Sequence, residues 1–245
     1  MKPYDPFCQL ILTAIRAKLH WRVRACHTAG VDRREGAVET GLGPRARGRK
    51  SRASAEAIVR KDMGPPEGDM GLSKKEAAPY QQWVEAAKRL GAAEAKVIAA
   101  ASVVTGRWVH LKCQFGCGGY GQRLTCPPYS PTPEQTQQML GEYRVALLVH
   151  VPGDGKWKSI KRIVADLERE VFLAGFYKAF ALGSGPCDLC ETCNLESCEH
   201  PRQARPAMEA AGIDVYATAR GNGFPIEVVK DRSCPQNYYG LVLIE

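Results

Sequence analysis

Residues 145–182 read VALLVHVPGDGKWKSIKRIVADLEREVFLAGFYKAFAL. Val145 to Val151 is a mainly apolar run of strand length, and Pro152 to Gly155 turns the chain. Ile160, Ile163, Val164, Leu167 and Val171 then recur at helical spacing to about Ala174, and Gly175 ends the helix. Tyr177 to Leu182 supplies another strand. A strand, a helix and a strand in this order predict a parallel pair joined by a right-handed crossover.

Working outward, Thr132 makes an N-cap with Pro133 in the first helical position and Gln135 closing a capping box, so a helix is expected to about Tyr143. Further upstream, Arg107 to Lys112 (RWVHLK) alternates as a strand leading into Cys113, and Lys96 to Val104 reads as a buried strand or a short helix. Tyr80, Trp83, Val84, Ala87 and Leu90 share a helical face that Gly91 closes. Downstream, Pro201 to Ala211 is expected as a short helix broken at Pro206 and capped by Gly212, and Tyr238 to Ile244 as a final strand. The fold class is α/β: one mixed sheet of about 4–5 strands with flanking helices and cysteine-rich metal-binding loops at strand ends.

The second predicted strand delivers the chain to GSGP and then to CDLCETCNLESCEHP, where Cys187, Cys190 and Cys193 recur at every third position and Cys198 follows. Closely spaced thiols of this kind can each take a different iron of one cubane cluster, and the bacterial ferredoxin run C-x2-C-x2-C-x3-C-P has nearly this form. Here the last gap is one residue longer, and the proline stands three positions after Cys198, at Pro201. These four residues are the candidate ligands of a [4Fe-4S] cluster. Zinc is the alternative, because four cysteines also build a closed tetrahedral site. A disulfide framework fits less well, since close-set C-x2-C thiols in a chain without a secretion signal read as metal or redox sites.

A second group lies in CQFGCGGYGQRLTCPPY, which carries Cys113, Cys117 and Cys126. With Cys234, in RSCPQNYY, residues 63–245 hold eight cysteines, enough for two sets of four and hence one or two clusters. The glycines at 116, 118, 119 and 121 would let the backbone fold tightly around a bulky group. Only counting supports Cys234 as fourth ligand; without it, a three-thiol site has an open coordination position. Cys8 and Cys26 read as incidental free thiols.

The formal net charge of +8 is concentrated near the start of the chain. Residues 1–62 hold 14 Lys and Arg against 6 Asp and Glu, whereas residues 63–245 hold 20 of each. The first 70 residues include GPRARGRKSRAS and lack a sustained apolar period, so they are expected as a basic, disordered or mis-assigned extension, with Met63 or Met70 as candidate starts. The metal-binding domain is then 71–245. No nucleic-acid role is drawn from the extension's charge. Arg33–Arg34 is followed by Glu35 and Gly36 rather than an apolar run, and no stretch approaches the ~20 apolar residues of a membrane span. The expected setting is cytoplasmic, where thiols stay reduced, with neither nucleic acid nor membrane as partner.

The pieces LKCQFGCGGYGQRLTCPPY and GSGPCDLCETCNLESCEHPRQARPAMEAAGIDVYATARGNG occur in this order. Together they resemble an uncharacterised family of predicted metal-binding proteins, over roughly residues 75 to 245. The resemblance implies metal binding through these cysteines, as iron–sulfur, in an intracellular protein; it implies no particular reaction.

Several enzyme signatures are missing. GDGKWK lacks the earlier glycine and the Ser or Thr of a phosphate-binding loop, and no G-x-G-x-x-G follows a strand in the right context. Neither G-x-S-x-G nor H-E-x-x-H occurs. Cys113 and Cys117 match the first gap of the radical-enzyme C-x3-C-x2-C spacing, but the third cysteine comes too late. His200 is expected to cap the following helix, with ligation or a bond to cluster sulfur as its alternative. His110 and His150 are expected as core or surface residues, and Arg202, Arg205 and Arg220 as a solvated face. The carboxylates of Asp188, Glu191, Glu196 and Glu199 among the thiols predict a low reduction potential.

The leading expectation is therefore an iron–sulfur electron-transfer or redox accessory protein that serves a redox partner protein. A redox enzyme with an open three-cysteine metal site and a zinc-stabilised interaction module are the alternatives.

Overall fold

The structure is a computed structural model that describes residues 71–153, 159–231 and 233–245. The expected extension, with Cys8, Cys26, Met63 and Met70, and most of the turn after Pro152 lie outside the described residues.

Among the described residues, four strands form one sheet: β1 (Glu94–Ala99), β2 (Val145–Pro152), β3 (Phe180–Leu182) and β4 (Asn237–Leu243), in the order β1-β2-β4-β3. Each neighbouring pair is antiparallel. The central strand β2 is buried from Val145 to Val151, as a strand covered on both faces must be. Val145, Leu147 and Val149 face one helical layer, while Ala146 and Leu148 face the other core.

The α/β class with flanking helices stands, but the expected parallel pair does not form. β2 and β3 run in the same direction, and β4 lies between them: Ala146 pairs with Leu243 on one side and Phe180 pairs with the same Leu243 on the other. YYGLVLI offers a long apolar run that can be buried on both faces, whereas β3 has three residues and serves as an edge. Gly240 lets β4 lie directly under the helix that carries Ile160 and Val164. A Cβ there would sit 2.7 Å from Val164 Cγ1 and 3.2 Å from the Leu182 carbonyl oxygen.

Among the described residues the helices are α1 (Lys74–Ala77), α2 (Gln81–Leu90), α3 (Arg107–Gly116), α4 (Pro133–Leu140), α5 (Ile160–Leu173) and α6 (Val215–Gly221). α2 and α5 cover one face of the sheet through Trp83, Val84, Ala87, Ile163, Val164 and Leu167. Gly91 closes α2 in the left-handed conformation at φ 112°, and Thr132 and Gln135 form the expected capping box at α4.

Two elements differ from expectation. Arg107 to Lys112 belongs to α3 and is not a strand. Six alternating residues fit either period, and tertiary contacts choose the helix: Val109 and Cys113 are buried four residues apart, while His110 Nε2 meets the Ala210 carbonyl at 2.9 Å. Residues 201–211 form turns ending in one 3-10 turn, Glu209–Ala211, in place of the broken helix. Their backbone groups bond to the end of β3 instead: Gly183 N donates to Pro206 O at 2.8 Å, and Met208 N donates to Gly183 O at 2.9 Å. α6 was not anticipated, although Asp214 caps it by accepting from Ala217 N at 2.9 Å and Val215, Thr218 and Ala219 supply a helical burial period.

Candidate metal centres

The last turn of α3 carries Cys113, which is buried, and Cys117 is the residue that ends the helix, its N–H donating to Cys113 O at 3.2 Å. The chain then loops back to Cys126, also buried, whose carbonyl accepts from Tyr129 N and Ser130 N. Ser130 Oγ donates to Ala210 O at 2.6 Å, so the Ala210 carbonyl ties both the helix and the loop to the turn at Glu209. Cys113, Cys117 and Cys126 line one small cavity with Pro186 and Glu209.

Gly119 leaves room for this convergence. A Cβ at residue 119 would lie 3.2 Å from Cys126 Sγ, 3.3 Å from Pro186 Cβ and 3.6 Å from Cys117 Sγ. Gly119 N also donates toward Cys117 Sγ at 3.4 Å. Of the other glycines singled out in the motif, Gly121 adopts φ 67°, while added Cβ atoms at Gly116 and Gly118 would meet nothing within 4 Å.

Burial pushes the Cys113 thiol up to about 12, with Cys117 and Glu209 adding to the effect, and burial followed by Cys117 pushes Cys126 up to about 11. The Glu209 carboxyl is pushed up to about 7, first by burial. Residue 209 is partly exposed as a whole, yet its Oε2 is buried without a hydrogen-bond partner. Such an orphaned acceptor costs about 1–3 kcal/mol. A cation among these groups would reverse the electrostatic preference and favour their ionised forms. Three thiols and an unpartnered carboxylate oxygen thus form a donor set that fits a metal.

The second group is assembled after β3. Cys187, Cys190, Cys193 and Cys198 are all half-buried and line one pocket, together with Arg123, Asn194, Glu199 and His200. Three side chains shape this loop. Arg123 Nη1 donates to Cys190 O at 2.7 Å, Lys161 Nζ donates to Pro186 O at 3.0 Å, and Asn194 Oδ1 accepts from Glu196 N at 3.0 Å. Lys161 also pairs with Asp188 at 2.7 Å. The Cys190 thiol is raised by burial, then by Glu199 and the neighbouring thiols. Ligand atoms of Cys190, Glu199 and His200 lie within 4.8 Å of one another.

The two groups adjoin. Pro186 lines the first cavity and the next residue, Cys187, lines the second pocket; Cys187 is also close enough to raise Cys126. Seven of the eight candidate cysteines are therefore gathered as three and four. Cys234 is buried in the loop before β4 with Sγ 3.7 Å from Asp231 Oδ1, and it is not among the residues lining either cavity.

The other singled-out residues have structural partners. His200 accepts from Gln203 N and Ala204 N through its carbonyl, so its backbone caps a turn while its side chain joins Cys190 and Glu199. His150 is buried, stacks on Tyr239 at 4.9 Å and meets Asn237 Oδ1 at 2.8 Å. Arg205 forms a fork with Glu168, and Arg220 donates to Ile226 O. Glu209, Arg123 and Lys161 were not anticipated as site residues. Their roles depend on chain crossings that local sequence does not report.

An antiparallel sheet that presents two adjoining thiol-rich pockets defines a cysteine-rich α/β protein built to hold metal. A family model described as predicted metal-binding protein (DUF2284) matches residues 96–244, and the chain belongs to this family. No curated protein and no solved structure matches it. Among the described residues, no helix is long and apolar enough to cross a membrane.

Proposed function

We propose that the protein is an iron–sulfur electron carrier or redox accessory protein, with a [4Fe-4S] cluster held by Cys187, Cys190, Cys193 and Cys198 and a second metal centre at Cys113, Cys117 and Cys126. One observation carries this reading: four thiols from a twelve-residue loop line a single pocket that adjoins a three-thiol cavity. Soft thiolate donors suit iron–sulfur clusters and zinc. A closed four-thiolate site leaves no coordination position for substrate, so its natural chemistry is electron relay.

In this reading the chain's own residues set the geometry. Arg123 and Lys161 hold the loop's carbonyls, and their positive charges offset part of the negative charge that thiolates gather. Glu199 beside Cys190 opposes the addition of an electron and favours a low potential. Relay requires a redox partner protein, and free thiols suit a reducing, cytoplasmic compartment.

The test is anaerobic purification followed by iron and acid-labile sulfide analysis. Brown protein whose visible absorption bleaches on reduction supports the proposal, and protein with neither iron nor sulfide removes it. A zinc-stabilised interaction module is the second reading. It is favoured by the mixed Cys190, Glu199 and His200 group, whose sulfur, oxygen and nitrogen donors suit zinc. Colourless protein with stoichiometric zinc selects it.

A further inference from the structure

We infer that Glu209, and not a fourth cysteine, is the fourth protein ligand of the Cys113–Cys117–Cys126 centre. The inference rests on the reading of those three thiols as a metal site, and it adds a ligand of different chemistry.

Three independent features place the carboxylate there. Glu209 lines the same cavity as the three thiols, and Cys113 Sγ lies 3.9 Å from the carbonyl oxygen of Glu209 itself. Its Oε2 is buried and lacks a hydrogen-bond partner, although nearly all buried polar side-chain atoms have one. The turn that carries it is also fixed to both thiol-bearing segments. Ala210 O is held by His110 Nε2 from α3 and by Ser130 Oγ from the loop after Cys126, while Met208 N bonds to Gly183 O at the end of β3. The carboxylate is therefore delivered to the cavity by rigid backbone rather than by a mobile surface chain. Cys234, the cysteine that counting would recruit, is directed elsewhere, with Asp231 as a neighbour.

A carboxylate differs from a thiolate in what the centre can do. Oxygen is the harder donor and binds thiophilic metals less firmly. The first centre thus has one exchangeable position, whereas the Cys187–Cys198 pocket is closed by four sulfurs. Small oxygen- or nitrogen-donor molecules would enter at the Glu209 position.

The experiment uses the full chain, purified without oxygen, and compares the wild type with Glu209→Gln, Glu209→Cys, Cys234→Ala and Cys126→Ala. The readouts are metal and sulfide content, resistance of the bound metal to a chelator, and the cobalt(II) spectrum of reconstituted protein, whose sulfur-to-metal bands report the number of thiolates. Cys126→Ala is expected to lose the metal of one centre. Glu209→Gln is expected to retain that metal at least about tenfold less well, and Cys234→Ala is expected to match the wild type. Glu209→Cys is expected to restore retention with stronger sulfur-to-metal bands, and it decides the matter if Glu209→Gln fails to fold. Wild-type retention in Glu209→Gln, unchanged bands in Glu209→Cys, or loss of that metal in Cys234→Ala overturns the inference and leaves the three-thiol centre standing. Full metal content in Cys126→Ala removes the centre itself.

Discussion

Arg123, from the loop between Cys117 and Cys126, donates to the carbonyl oxygen of Cys190 at 2.7 Å. Its second terminal nitrogen reaches Glu191 O at 3.3 Å, so one guanidinium from the first cysteine motif orders the backbone of the second. The motifs are more than sixty residues apart in sequence, yet each pocket is shaped by residues of the other. Pro186, just before Cys187, packs into the first cavity in the same way.

Arg123→Ala should therefore loosen the Cys187–Cys198 loop. Metal held there should become roughly 10–100-fold easier to extract with a chelator, the range for losing an orienting outer contact. Arg123→Lys should recover little, because a single ammonium lacks the planar fork that spans two carbonyls. Chelator competition on the two variants checks this.

Gly119→Ala places a methyl group 3.2 Å from Cys126 Sγ and 3.3 Å from Pro186 Cβ. The thiol or the proline must move, and the expected cost is about 1–3 kcal/mol of stability. Thermal unfolding measures that cost, and metal analysis should show the first centre depleted before the second.

Glu168 on α5 binds Arg205 through Nε at 2.6 Å and Nη2 at 2.5 Å, and it also accepts from Ala181 N on β3 at 2.7 Å. This largely buried pair fastens the segment after the cysteine run to the sheet. Arg205→Ala should destabilise the protein by about 3–5 kcal/mol, since it leaves a buried carboxylate uncompensated. Adding Glu168→Gln to that variant should recover part of the loss, because the stranded charge is then removed. Denaturant unfolding of the single and double variants tests both statements.

Metal-free protein should lose stability as pH rises from about 4.5 to about 7. Glu209 is raised from 4.5 to about 7 by burial, so the folded state holds a proton that the unfolded state releases. Its contribution is fully present below about 4.5 and declines as pH climbs through the folded value, by about 3 kcal/mol in total. Comparing wild type with Glu209→Gln at about pH 4, about pH 6 and about pH 8 isolates the effect. A wild-type profile that stays parallel to that of the variant contradicts it.

Glu199→Gln should raise the reduction potential of the centre at Cys190, because it removes a neighbouring negative charge. The side chain is exposed, so the shift should be at most roughly a few tens of millivolts and should shrink with added salt. A redox titration at two ionic strengths measures it.

Period and punctuation were legible in the long elements and at the Thr132 cap, though not at the Asp214 cap of α6. The mainly apolar run of β2, the five buried apolar positions of α5 and the Thr132–Gln135 capping box each carry their own local signal. Short alternating segments failed because six residues such as RWVHLK satisfy both periods. Pro201 to Ala211 failed because Pro206 O and Met208 N bond to Gly183, just after β3, instead of continuing a helix.

The cysteine spacing alone picked out the seven thiols that line the two pockets, since loop residues three apart can face one centre whatever the surrounding fold. Local sequence also established α2, α4 and α5 and the long strands β2 and β4, because periodicity is a property of contiguous residues. Tertiary structure decided the rest. It inserted β4 between β2 and β3, set the two cysteine motifs side by side, left Cys234 lining neither pocket and brought Glu209 to the three thiols. These outcomes depend on contacts between distant segments, where burial and backbone hydrogen bonding of the whole chain, and not any local pattern, determine which groups meet.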